Sequence, residues 1–173
     1  MKILNNIDKN ILIFIQKHLR TPFLTNIMQF ISSLFNFGFL SILTCIILLC
    51  NKKTKKIGII ATYSLILSSL ITNILLKPTI KRIRPYDLIN EIIPLTKKLL
   101  DFSFPSGHTS AAFAVSSILF FNCSKKIGIP AMILATLVGF SRLYLGVHYP
   151  TDVLFGIIIG FSSGIISNML LKK

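Results

Sequence analysis

Apolar residues run through this chain in long stretches, and short polar or cationic segments separate them. In residues 1 to 20, Ile3, Ile7, Ile11, Phe14 and Ile15 recur at helical spacing while Asn6, Lys9, Asn10, Lys17 and Arg20 fall elsewhere. This spacing predicts an amphipathic helix, either lying in a membrane interface or packed on the end of a bundle, with His18 as a surface residue. Thr21-Pro22 then supplies an N-cap followed by proline at the first helical position. Spans are predicted over residues 22–50, 57–76, 105–122, 127–145 and 152–171, and a polar connection over residues 77–104. At ~1.5 Å per residue the first is longer than a hydrocarbon core of ~30 Å requires. Its Asn26, Gln29, Ser33 and Asn36 form a polar stripe expected to face other helices. Along the last, Gly156, Gly160 and Gly164 repeat every four residues, a spacing that lets a neighbouring backbone approach closely. No linker or internal repeat divides the chain. The expectation is one all-α domain over residues 1–173: a polytopic transmembrane helix bundle of about five spans plus an N-terminal interfacial helix.

Composition sharpens this. The chain is 53% hydrophobic and 14% charged, with a mean hydropathy of +0.75, against roughly 25% charged residues in soluble domains. The net charge of +14 does not point to nucleic acid, because the lysines sit in clusters between apolar segments rather than along a basic face. Lys52, Lys53, Lys55, Lys56, Lys125, Lys126, Lys172 and Lys173 fall on one face with no acidic residue among them, a positive-inside pattern. The opposite face is therefore expected to be extracytoplasmic, in a multi-pass protein of the cell membrane. Cys45, Cys50 and Cys123 show no metal-ligand spacing and read as reduced packing residues. Asn5, Asn6, Asp8 and Lys9 interrupt any signal-peptide core, so the mature protein is expected to start here.

With short turns between them, successive spans alternate in direction. The end of the second, the start of the third, the end of the fourth and the start of the fifth then share one membrane face. Those places carry Lys77 and Arg84, then Ser106, Gly107 and His108, then Arg142, then His148 and Asp152. An Arg or His at the edge of a span is costly unless it faces a cavity, a partner or water, so a functional site is the first reading. Three cations converging on one pocket call for an anion with several oxygens, and the opening of the third span offers backbone N–H groups beside Gly107. A phosphate fits best. Two histidines can divide attack and proton transfer between them. The chain has neither an acidic cluster suited to Mg²⁺ nor a Cys/His set suited to zinc, so no metal and no cofactor are expected. Lys81 and Arg82, inside the spacer between Lys77 and Arg84, read as solvated or headgroup-facing side chains. Tyr86, Asp87, Tyr144 and Tyr149 can line the pocket, though tyrosine at a membrane interface needs no catalytic reason.

Lys77-x6-Arg84-Pro85, Pro105-Ser106-Gly107-His108 and Ser141-Arg142-x5-His148-x3-Asp152 together resemble the three-part signature of the type 2 phosphatidic acid phosphatase superfamily of membrane lipid phosphatases. The match spans residues 77 to 152, in the family's order and with no departure at a signature position. The resemblance implies hydrolysis of a lipid phosphate or diphosphate through a phosphohistidine. It makes His148 the nucleophile, Asp152 its orienting partner and His108 the acid that protonates the leaving oxygen. Lys77, Arg84, Ser106, Gly107 and Arg142 would bind phosphate. Undecaprenyl diphosphate and phosphatidylglycerophosphate are the expected substrates, and membrane lipids the expected surroundings. The family's larger members have six spans. The alternative function is a lipid-phosphate binding or transport protein without hydrolase activity, which would need the cations but not both histidines and Asp152. A vanadate-dependent haloperoxidase shares the motifs but is typically soluble and larger.

Overall fold

The computed structural model describes residues 2–171, and their side chains from residue 6. The side chain of Ile3 and both Lys172 and Lys173 lie outside the described residues. Among the described residues every regular element is helical. The helices are α1 (Lys2–His18), α2 (Pro22–Ser33), α3 (Phe39–Cys50), α4 (Lys55–Ser69), α5 (Lys77–Ile80), α6 (Pro85–Leu88), α7 (Gly107–Asn122), α8 (Lys125–Tyr144) and α9 (Pro150–Leu171). The stretch Lys55–Leu88, α8 and α9 are each long and apolar enough to cross a membrane, and the pair α2 and α3 adds a fourth. Helix α7, at 16 residues, is shorter than a full span and sits at the centre of the bundle.

Helix α7 is buried along most of its length, from Thr109 to Ile118, and packs against α9, α8 and α4. The glycine repeat explains its closeness to α9. A Cβ added at Gly156 would stand 2.9 Å from the Ser106 carbonyl oxygen, and one at Gly160 only 2.4 Å from that of Ser110. Side chains cannot enter that seam. Buried hydroxyls bridge the other interfaces, Ser64 Oγ donating to the Ala114 carbonyl (2.8 Å) and Thr72 Oγ1 to Ser110 Oγ (3.1 Å).

Two departures from the sequence expectation matter for the site. The predicted span over residues 22–50 is broken: α2 and α3 meet at 43° through a 3₁₀ turn, Asn36–Gly38. Gly38, at φ +73°, takes a left-handed conformation that glycine adopts without steric cost, and Phe37 beside it stands wholly exposed. The second departure follows α4, where Leu70–Leu76 winds as a π-helix. Thr72 and Lys77, five residues apart, are both buried on the inner side, and the Lys77 N–H bonds the Thr72 carbonyl. An ordinary α-helix would turn them to different faces; the wider π turn aligns them.

Thr21 caps α2 as expected, its Oγ1 accepting from the Leu24 N–H at 3.2 Å. The polar stripe lies beside the buried side rather than on it, yet two of its members reach the rest of the bundle: Gln29 Nε2 donates to the Leu95 carbonyl (2.6 Å), and Asn36, in the turn after α2, meets His108 of α7. Asn26, Gln29, Ser33 and Asn36 are exposed, and Met28, Ser32 and Phe35 form the buried side. Helix α1 packs on the end of the bundle, burying Asp8, Leu12 and Ile15 while leaving Ile7, Ile11 and Phe14 bare. Leu12 and Ile15 join Met28, Tyr86, Tyr144, Leu145 and Val147 in one apolar cluster beneath that helix.

Candidate active site

Local backbone preferences deliver the polar side chains to this end of the bundle. Helix α8 closes on a Schellman motif: the Val147 N–H bonds the Arg142 carbonyl (3.2 Å), the Gly146 N–H bonds that of Leu143 (3.0 Å), and Gly146 sits at φ +72°. The turn that ends the helix after Arg142 thus hands His148 back to the same side. After α5, residues 82 to 84 run without helix towards Pro85, which disfavours helical geometry in the residue before it. In extended backbone, side chains alternate, so Arg82 and Arg84 turn inward while Ile83 is exposed.

His148 is buried. Its Nδ1 lies 3.4 Å from Asp152 Oδ2 and 3.5 Å from Ser103 Oγ, and its Nε2 lies 3.4 Å from Arg84 Nη1. Burial away from water holds the imidazole far below its ordinary range, to about 4, against the pull of Asp152 and with Arg84 and Arg142 pushing the same way as burial. It is therefore neutral at physiological pH. Asp152 is fully buried and accepts from the Tyr149 N–H (2.9 Å), from Ser103 Oγ and from Arg82 Nη1 (2.6 Å). Arg84 also donates to the Val147 carbonyl at 2.7 Å.

Lys77 and Arg84 share one carboxylate. Asp101 Oδ2 pairs with Lys77 Nζ, and Asp101 Oδ1 with Arg84 Nη2 at 2.6 Å. Partial burial raises the Asp101 carboxyl, but the two cations overcome it and hold it down to about 2. Arg142 is buried and donates to Ser32 Oγ, and its Nε has no partner among the described residues. An anion entering here would meet an open donor. Gly107 opens α7, and a Cβ there would stand 3.8 Å from Lys77 Nζ. The Ser106 N–H bonds the Asp152 carbonyl at 3.1 Å, which ties the start of α7 to that of α9. His108 pairs through Nε2 with Asn36 Oδ1 at 3.1 Å, and Arg142, His148, Lys77 and Arg84 all lie within electrostatic reach of it.

All eight residues singled out in the sequence therefore sit at one end of the bundle. Five further residues join them. Asp101 and Ser103 lie in the long connection, Ser32 and Asn36 belong to the broken span, and Asp8 comes from α1. Arg82 is a correction to the sequence reading: it is not a free surface cation but is four-fifths buried, held between Asp8 and Asp152 and stacked 3.8 Å from the centre of the Tyr149 ring. Its two-residue spacing from Arg84 ahead of a proline was the available signal. Lys81 is exposed, as read. Tyr144 is packed away from the cations, its hydroxyl bonded to Thr25 and to the Thr21 N–H.

Chemically, the arrangement pairs a neutral imidazole, backed by a carboxylate, with cations suited to an oxyanion. Comparison with known proteins identifies the family. The chain is 34% identical over 114 residues to an undecaprenyl-diphosphatase of Sulfolobus acidocaldarius, covering 66% of this chain and 55% of that protein. It is 37% identical over 146 residues to undecaprenyl-diphosphatase BcrC of Bacillus subtilis, covering 80% and 72%. The crystal structure of a transmembrane PAP2-type phosphatidylglycerolphosphate phosphatase from Bacillus subtilis superposes with a TM-score of 0.81 at 30% identity, over 98% of this chain and 87% of that one. Residues 57–173 match the PAP2 superfamily, and this membrane protein belongs to it.

Proposed function

We propose that this chain is an integral membrane lipid phosphatase that hydrolyses a phosphomonoester or diphosphate through a phosphohistidine at His148. The observation that carries this reading is the buried imidazole itself: Nδ1 faces Asp152, which leaves Nε2 as the nucleophilic nitrogen beside Arg84. In the first step His148 Nε2 attacks phosphorus, the bond from phosphorus to the leaving oxygen breaks, and His108 gives that oxygen its proton. Lys77, Arg84, Arg142, Ser106 and the Gly107 backbone bind the phosphate oxygens and stabilise the charge spread over them. Water then cleaves the phosphorus–nitrogen bond, giving its proton to His108 and releasing inorganic phosphate. Undecaprenyl diphosphate, on which the two sequence relatives act by name, and phosphatidylglycerophosphate, on which the structural relative acts, are the proposed substrates.

The site end is proposed to face outward across the cell membrane, because Lys52, Lys53, Lys55, Lys56, Lys125 and Lys126 collect at the other end.

The test is phosphate release by the detergent-purified protein from undecaprenyl diphosphate, phosphatidylglycerophosphate and phosphatidic acid, with EDTA present and His148→Ala alongside. Release that survives EDTA and is lost in the variant is the expected result; activity retained by His148→Ala would remove the nucleophile assignment. For orientation, Cys50 and Cys123 lie at the lysine-rich end. An impermeant maleimide should label them only after the membrane is opened, and labelling in intact cells would reverse the topology.

A further inference from the structure

Asp8 is the only acidic residue of α1, and it is buried to 1% exposure on the side of that helix packed against the bundle. A buried carboxylate needs partners, and this one has three bonds to two residues beyond its own helix. Its Oδ2 accepts from Arg82 Nη2 (2.7 Å) and Thr151 Oγ1 (2.6 Å), and its Oδ1 from the Thr151 N–H (3.1 Å). The same guanidinium then sends Nη1 to Asp152 Oδ1 and to Thr151 Oγ1, each at 2.6 Å. Its planar face lies on Tyr149, the neighbour of His148. Arginine suits this place because a rigid fork can span two carboxylates at once, which a lysine ammonium cannot do with the same geometry.

The bonds form a chain with an order to it. Asp8 and Tyr149 fix the Arg82 plane; Arg82 occupies Oδ1 of Asp152; Ser103 and the Tyr149 N–H occupy Oδ2, the oxygen facing His148. With Oδ1 held, the Asp152 carboxylate cannot rotate to present its other oxygen. We infer that Arg82, clamped by Asp8 of the first helix, is a positioning residue that fixes the Asp152 carboxylate against His148, so that α1 is part of the catalytic apparatus. The inference rests on the phosphohistidine reading. Neither residue contacts the cations Lys77 or Arg142, so the clamp acts on the rate of attack and not on phosphate binding.

The experiment measures kcat and KM for phosphate release from whichever of the three lipids wild-type protein cleaves, with Arg82→Gln, Asp8→Asn, the double variant and His148→Ala. Arg82→Gln should lose roughly 10- to 100-fold in kcat, the scale of a small misplacement of a reacting group, with KM held within about threefold. Asp8→Asn should lose several-fold in kcat when alone and nothing further in the Arg82→Gln background, because it acts through Arg82. Three results would overturn the clamp: kcat of Arg82→Gln within about twofold of wild type, a loss confined to KM, or an undiminished Asp8→Asn effect in the double variant. If Arg82→Gln fails to fold, the isosteric Asp8→Asn decides alone, and an unchanged kcat there ends the proposal. Activity surviving in His148→Ala would instead sink the phosphohistidine reading, so the two failures are distinct.

Discussion

At the scale of single residues, the site turns on where charge is allowed to stand. Burial takes the His148 imidazole from 6.5 down to about 4 although Asp152 pulls the other way. The neutral form, which the proposed attack on phosphorus requires, is thus present above about pH 4. The acid limb of kcat/KM, corrected for titration of the substrate's own phosphate, should fall well below pH 6.5. A limb at the free-imidazole value would mean that the ring is wet. The same shift costs stability in a defined window. Between pH 6.5 and about 4 the unfolded chain takes a proton on His148 that the folded one refuses, so stability falls as pH drops through that range. Most of these residues were legible in the sequence because their spacing is fixed by short motifs. Arg82 was misread because its side chain was judged by charge alone, without the alternation that extended backbone ahead of Pro85 imposes. Asp8 carried no signal, since its partners lie 74 and 143 residues away.

Among the elements, the seam between α7 and α9 sets the distance between the two halves of the site, Ser106 to His108 on one and Asp152 on the other. Gly160→Val would push against the Ser110 carbonyl, the Phe113 Cβ and the Ala114 backbone nitrogen, the first two already under 3 Å from a bare Cβ. Overpacking of this kind costs about 1–3 kcal/mol, so the melting temperature in detergent and kcat should both drop. Ser162→Val, on the exposed side of the same helix, is the control and should leave both unchanged. Equal behaviour of the two variants would show that the seam can relax. The glycine repeat announced this contact from sequence. The break at Asn36–Gly38 and the π turn at Leu70–Leu76 were not readable, because neither carries a proline or a charge to interrupt the long helical run around it. Each nonetheless serves the site: the first brings Asn36 to His108 and the second turns Lys77 inward.

Across the whole molecule, alternation of span direction is what let the sequence bring these residues to one end, since four element ends on one face leave little freedom in where their polar residues meet. What alternation does not specify is how the cations of the site are paired. Asp101, half exposed in the long connection, bridges Lys77 and Arg84 where the proposed phosphate would bind. Phosphate binding at the proposed site would then be an exchange of anions, the Asp101 carboxylate giving up Lys77 and Arg84 as the phosphoryl group takes them. Asp101→Asn should accordingly tighten inhibition by inorganic phosphate, by roughly tenfold for each 1.4 kcal/mol of lost competition. An inhibition constant equal to that of wild type would mean that Asp101 keeps its place while phosphate is bound. A protein working where free phosphate is abundant would profit from such a doorkeeper, which yields to a substrate anchored by its lipid more readily than to an ion arriving alone.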